Sequence, residues 1–213
     1  MTPTEIEAKL VAPSAHELIA LPRHLTDLGL IHTEPERVIA RDHYLDTEDL
    51  HLRRAGWALR LRDLGIRKLL TMKALRPAGE DGLAVREEHE AEVQWEGGDQ
   101  PRFPQDVLGG RLDLVLQGRE LKRIFHVHQE RMQFHAGGAE GGPWDGFWVE
   151  ASMDLIRWEG AEGTMDGFEA ELELTSGPIE SLRELMGRLA EATGWEAGHG
   201  SKFERGLRVA GLA

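Results

Sequence analysis

The sequence predicts an antiparallel α+β fold, on three observations. Eight segments alternate apolar and polar residues with period two, near 4–12, 37–46, 56–63, 67–76, 84–95, 123–135, 146–158 and 166–175. Only two stretches carry a clear helical period, so helices do not alternate with strands as a doubly wound sheet requires. No low-complexity tract or long linker divides the 213 residues, which suit one domain, 1–213, with a sizeable core.

The elements follow in order. In the first strand Glu5, Glu7 and Lys9 share one face, and Ile6, Ala8 and Leu10 the other. Ser14 can cap a first helix, with Glu17 completing a capping box, Leu18, Leu21, Leu25 and Leu28 as its apolar stripe and Gly29 as its stop. Arg60 and Arg62 then oppose Leu59 and Leu61, and Thr71 and Lys73 oppose Leu70, Met72 and Ala74. Arg86, Glu88, Glu90 and Glu92 share a face of the next strand, and the glycine-rich run 137–143 reads as a hairpin loop. Glu169, Glu171 and Glu173 alternate with Ala170, Leu172 and Leu174. Pro178 opens a second helix whose face is Leu182, Leu185, Met186 and Leu189, ending at Gly194.

A net charge of −13 argues against nucleic acid or an anionic membrane as partner, because generic attraction would have the wrong sign. A small anion is compatible if the cations are gathered in one place. There is no run of about 18 apolar residues to span a membrane. The start, Met1-Thr2-Pro3-Thr4-Glu5, does not read as a signal peptide, so a cytoplasmic location is expected. With no cysteine, disulfides, thiolate zinc sites and cysteine nucleophiles are excluded. Only five lysines, Lys9, Lys68, Lys73, Lys122 and Lys202, stand against twenty arginines.

Strand by strand, an open sheet with one wet face explains the alternation. Charge segregation points elsewhere. Arg60 and Arg62, and Glu169, Glu171 and Glu173, repeat one sign at adjacent positions on one face, where neighbours repel. Such clusters need partners of opposite charge: a polyanion for the cations and a divalent cation for the glutamates. A barrel with a charged lumen would put both in one cavity. Carboxylates two apart suit a hard ion such as Mg²⁺ or Mn²⁺. A histidine zinc site is poorly supported, since only His126 and His128 share a face, with His135 further along, and catalytic zinc wants three ligands.

These residues together resemble the CYTH, or triphosphate tunnel metalloenzyme, superfamily over essentially the whole chain. Glu5-Ile6-Glu7-Ala8-Lys9 matches its ExExK opening, His43-Tyr44-Leu45-Asp46-Thr47 resembles YFDT, and Ala58-Leu59-Arg60-Leu61-Arg62 the ALRxR strand. Thr71-Met72-Lys73 is similar to TxK, Arg86-Glu87-Glu88-His89-Glu90 to RxExE, Glu169 to Glu173 to ExExE, and Ser201-Lys202-Phe203-Glu204-Arg205-Gly206 to the closing SKxxRG. Arg131 and Asp154 fall at later basic and acidic positions.

The resemblance implies an eight-stranded antiparallel β-barrel with flanking helices, holding a triphosphate in its lumen. It assigns Lys9, Arg60, Arg62, Lys73, Arg86, Arg131 and Lys202 to the phosphates, and Glu5, Glu7, Glu171 and Glu173 to a divalent metal, Mg²⁺ or Mn²⁺. Glu169, Glu88, Glu90 and Asp154 are secondary metal candidates. Lys9, with Glu5 and Glu7, is expected in catalysis, either on phosphate or on the attacking water. The implied activity is hydrolysis of a phosphoanhydride bond, with bacterial inorganic triphosphatases the nearest resemblance. Class IV adenylate cyclase, thiamine triphosphatase and, as another class, a non-catalytic polyphosphate- or nucleotide-binding module are the alternatives. RNA 5′-triphosphatase is disfavoured by the acidic balance. The partner is a small-molecule triphosphate, with a homodimer left open.

Overall fold

The computed structural model describes residues 4–76, 79, 82–98, 100–198 and 200–213; the opening Met1-Thr2-Pro3 lies outside them. All eight expected strands form: β1 (Thr4–Val11), β3 (Glu36–Asp46), β4 (Trp57–Asp63), β5 (Lys68–Ala74), β6 (Leu83–Glu92), β7 (Lys122–Gly137), β8 (Trp148–Gly160) and β9 (Gly163–Ser176). Two short strands, β2 (Ile31–His32) and β10 (Glu196–Ala197), add to β7 and β1. The pairing order β1-β6-β5-β4-β3-β7-β8-β9 closes through β9 onto β1, and every pairing is antiparallel. The sheet is therefore a barrel rather than an open layer, and each strand's alternation sorts its side chains into lumen and exterior.

Helices α1 (Ala15–Leu18), α2 (Leu21–Asp27) and α5 (Ile179–Thr193) cover one side of the exterior. Their Leu18, Leu21, Leu25, Leu182 and Leu185 pack with Ala8, Leu10, Ala151, Ala170 and Leu172, the outward residues of β1, β8 and β9. Helices α3 (His51–Arg54) and α4 (Arg111–Leu116) cover the other side, where Leu52 and Leu112 meet Leu45, Leu59, Leu61, Leu70 and Met72. Leu59, Leu61 and Leu70 are wholly buried, and each such side chain contributes about 1.5–3 kcal/mol by leaving water.

The single helix expected over 14–29 is two helices. Ser14 Oγ accepts from Glu17 N–H at 3.2 Å as its cap, but α1 ends at Leu18 and α2 restarts with Pro22 in its first turn. Proline lacks an N–H and its ring disfavours the helical conformation of the residue before it, so the leucine stripe continues across a break. The second helix runs as expected from Pro178 to Gly194, whose φ of 71° closes it in the left-handed region.

A last helix, α6 (Lys202–Val209), lies against the inner rather than the outer wall. It opens with a full capping box: Ser201 Oγ accepts from Glu204 N–H at 3.2 Å, and Glu204 Oε2 accepts from Ser201 N–H at 2.6 Å. Phe203 and Leu207 pack with Tyr44, Phe125, Val127, Ile156 and Trp158, which lie on the lumen faces of β3, β7 and β8. Trp158 Nε1 donates to Lys202 O at 2.9 Å. At Gly206 a Cβ would stand 1.9 Å from Phe125 Cε2, so the helix backbone rests directly on that ring and only glycine fits. One end of the lumen is thus filled by an apolar plug that carries Lys202 at its head.

Candidate functional site

The remaining lumen is a cavity of about 810 Å³. It is lined by Glu5, Glu7, Lys9, Arg60, Arg62, Lys73, Arg86, Glu88, Glu90, Arg131, Glu171, Glu173 and Lys202, thirteen expected site residues. The cross-strand register explains the gathering. Glu7 faces Glu173 and Lys9 faces Glu171 between β1 and β9; Glu5 faces Arg86 between β1 and β6; Lys73 faces Glu88 between β5 and β6.

The lumen has two unlike walls. On β6, β1 and β9, with one residue of β8, carboxylates crowd together: Glu5, Glu7, Glu88, Glu173 and also Glu150. Burial and then repulsion from Glu7 push Glu5 up to about 8, against the pull of Lys73. Glu173 is raised by burial, then by Glu150 and Glu88. Lys73 reaches into this cluster and pairs with Glu5, with Glu88 at 3.2 Å and with Glu7 at 3.7 Å, and Arg86 Nη1 donates to Glu7 at 2.7 Å.

Across the cavity β4, β3 and β7 form a basic wall. Arg62 donates from Nε and Nη2 to the two oxygens of Asp42, 2.7 Å each. Arg131 does the same to Asp154, also 2.7 Å each, and adds a 2.6 Å bond to Glu171. Such forks fix each guanidinium plane. Arg60 is looser, 3.9 Å from Asp42 and bonded to Thr71 Oγ1 at 3.2 Å. Its Nε, with Gln129 Nε2 and Ser152 Oγ, is buried without a hydrogen-bond partner. Three unmet groups around the lumen, on β4, β7 and β8, are costly unless an anion or water meets them.

Two expected ligands take other roles. Asp154 and Glu169 are fully buried in the wall and do not line the cavity. Asp154 holds Arg131 and, at 3.0 Å, Lys202. Glu169 holds Arg205 at 2.6 Å, Lys9 at 3.3 Å and Lys202 at 3.4 Å. In this structure their oxygens serve as counter-charges to Arg131, Arg205, Lys9 and Lys202. Glu171 lines the cavity but already meets Lys202 and Arg131 at 2.6 Å and Lys9 at 2.8 Å; despite burial, Lys202, Lys9 and Arg131 hold its carboxyl well below the usual range. Glu5, Glu7 and Glu88 share the single Lys73, with Arg86 on Glu7, while Glu173 and Glu150 stand beside them and Glu90 accepts from Thr71 Oγ1. Among the described residues no three carboxylates converge on one point as they stand, but the donor chemistry of the set, all oxygen, is that of a hard divalent cation.

Asp42, Glu150, Gln129 and Ser152 were missed from the sequence. Asp42 stands two residues before Tyr44 on the same strand face, and Glu150 and Ser152 share the face of Asp154, so alternation alone could have flagged them. Lys68 and Lys122, outside the motifs, pair with Asp63 at 2.8 Å and Glu48 at 3.6 Å. His126 and His128 stay on the outer wall, where burial and Arg123 lower His126 to about 4. No helix among the described residues is long and apolar enough to cross a membrane.

Fold and site together define a class: a closed antiparallel tunnel with oppositely charged inner walls. The chain belongs to the CYTH domain family, whose sequence model matches residues 3–207. It is similar to an adenylyl cyclase candidate from Hippeastrum with a dominant triphosphatase activity, at 20% identity and a TM-score of 0.60 over 97% of this chain and 96% of that one. It is similar also to an adenylate cyclase candidate from Bacillus halodurans, at 20% identity and 0.60 over 96% and 98%, and to a protein from Pyrococcus horikoshii, at 19% and 0.58 over 96% and 98%. At these identities the likeness speaks to the barrel.

Proposed function

We propose that this protein hydrolyses a phosphoanhydride bond of inorganic triphosphate, or of a closely related triphosphate, with Mg²⁺ or Mn²⁺. The observation that carries the reading is the pair of facing walls in one cavity: arginines and unmet donors on one side, crowded carboxylates on the other. A polyanion satisfies the first and a divalent cation the second, and the complex of the two satisfies both. The Hippeastrum protein's dominant triphosphatase activity supports the same choice.

Arg60, Arg62, Arg131 and Lys202 would receive the phosphate oxygens, with Lys73 and Arg86 reaching them from the acidic side. Glu5, Glu7 and Glu173 would hold the metal, with Glu88 and Glu150 around them. When bound, a divalent ion supplies charge neutralisation and a more acidic water. The residues supply the rest. Forked arginines fix the chain of phosphates, and fixed cations stabilise charge growing on the bridging oxygen, which is most of what phosphoryl transfer asks of a protein. Lys9 contributes a fixed ammonium beside Glu171.

The test is phosphate release from tripolyphosphate, ATP and thiamine triphosphate with Mg²⁺ or Mn²⁺, beside an assay for cyclic AMP. Metal-dependent release, fastest from tripolyphosphate, is the expected outcome. Faster cyclic AMP formation would make the protein a cyclase, and tight binding without turnover of any substrate would make it a binding module.

A further inference from the structure

Lys9, like Lys202 and unlike Lys73, is buried on the carboxylates of β9. Its side chain is 7% exposed, against 26% for Lys73, and its Nζ lies between Glu171 at 2.8 Å and Glu169 at 3.3 Å. The stem is confined as well. Just past β10, which pairs with β1 at Leu10↔Ala197, Gly198 N–H donates to Lys9 O at 2.8 Å. This lays the Gly198 Cα directly along the lysine. A Cβ there would stand 2.6 Å from Lys9 Cγ, 2.8 Å from Cδ and 3.1 Å from Cβ.

Glycine is commonly retained where the backbone turns left-handed. Gly198 has no such φ, so its backbone conformation is open to other residues and only the space is restricted. The space is that of the Lys9 stem. Nor can the stem step aside easily, because two buried carboxylates pin its far end. Behind it Gly82 closes the packing: a Cβ at that position would meet Lys9 O at 2.9 Å and Ala197 Cβ at 3.2 Å.

We propose that Gly198 is a positioning residue for Lys9: its missing side chain lets the 196–198 segment press on the lysine stem and fix the ammonium beside Glu171. The inference rests on the triphosphatase reading for its catalytic consequence, and on geometry alone for the contact. Gly198→Ala must push the stem, and with it Nζ, by a fraction of an ångström or more. Displacements of about 1 Å can cost on the order of 10²-fold in rate while leaving ground-state binding largely intact.

The experiment is a double-mutant cycle of Gly198→Ala and Lys9→Ala, read by steady-state tripolyphosphate hydrolysis with Mg²⁺ and separately by urea unfolding. The expected result is a fall in kcat of about tenfold or more for Gly198→Ala, with KM within about twofold. In the Lys9→Ala background the same change should cost less than about twofold in either readout, because the stem it strikes is gone. Equal losses in both backgrounds, or no loss in the wild type, would overturn the proposal. Should Gly198→Ala alone fail to fold, folding of the double variant supports the contact and failure of both overturns it. Absence of turnover by the wild type would sink the triphosphatase reading and the catalytic role with it; the unfolding cycle still tests the contact.

Discussion

The two walls of the lumen handle buried charge in opposite ways. On the basic wall two arginines come with built-in counter-charges, Arg62 forked to Asp42 and Arg131 forked to Asp154. Burial opposes ionisation of Asp42, yet Arg62 and then Arg60 hold it down to about 2. The acidic wall has no comparable balance, and Glu5 rises to about 8 because burial and neighbouring carboxylates outweigh Lys73. The basic wall is therefore set in place by the protein's own ion pairs, whereas the acidic wall is left short of positive charge. A preorganised donor array beside an under-neutralised acceptor array is what a metal–polyanion pair requires.

Substitutions can break this division. The largest effect is expected from Glu7→Gln, which should lower kcat for tripolyphosphate by about 10²-fold or more while metal-free tripolyphosphate binding, measured calorimetrically, changes little. Asp42→Asn should cost about 2 kcal/mol in urea unfolding, since it removes the counter-charge of the partly buried Arg62 guanidinium. Arg60→Ala is expected to raise KM and the metal-free Kd by about tenfold; a loss confined to kcat would erase the distinction between the walls. Lys73→Met removes the ammonium that occupies the carboxylate cluster and should tighten Mn²⁺ binding several-fold without triphosphate, as followed by electron paramagnetic resonance.

The smallest effect concerns pH. The raised pKa of Glu5 means that, between 4.5 and about 8, the folded protein keeps a proton which the unfolded chain releases. Stability from this group therefore falls as pH rises through that window. Glu5→Gln lacks the penalty, so its melting temperature relative to wild type should climb by about 5 °C from pH 5 to pH 8 in metal-free buffer. A difference that stays flat with pH would show that Glu5 is not proton-linked. Asp42 has the opposite sign: its contribution is present above 3.8 and is lost as pH falls toward about 2.

Much of the barrel was legible because alternation has the same period as the strand, so Glu5-Glu7-Lys9 and Arg60-Arg62 declared a shared face at once. Closure was less so, since an open sheet produces the same alternation; it depends on β1 meeting β9, which charge segregation pointed toward and the family resemblance implied. Nor could alternation separate carboxylates that reach the cavity from those sealed in the wall. Glu169 and Glu171 look alike in sequence, yet one is sealed behind the lysines and the other reaches the cavity. α6 was announced by Ser201 and Glu204 three residues apart, a capping signature hidden beneath the reading of Ser201-Lys202 as a substrate motif. Gly198 carried no signal, because the reason for it lies on a strand nearly 190 residues away.

Closure of β1 onto β9 and β10 also bears on how the chain comes together. β1 can pair with β6 once residue 92 has been made, but it meets β9 and β10 only after residues 163–197 have followed, and such distant pairing makes for slow acquisition of the native state. Until Lys202 arrives, Asp154, Glu169 and Glu171 lack one of their shared cations. Closure of the barrel can therefore precede completion of its chemistry, and a chain halted just before Lys202 would keep every strand and lose the shared cation.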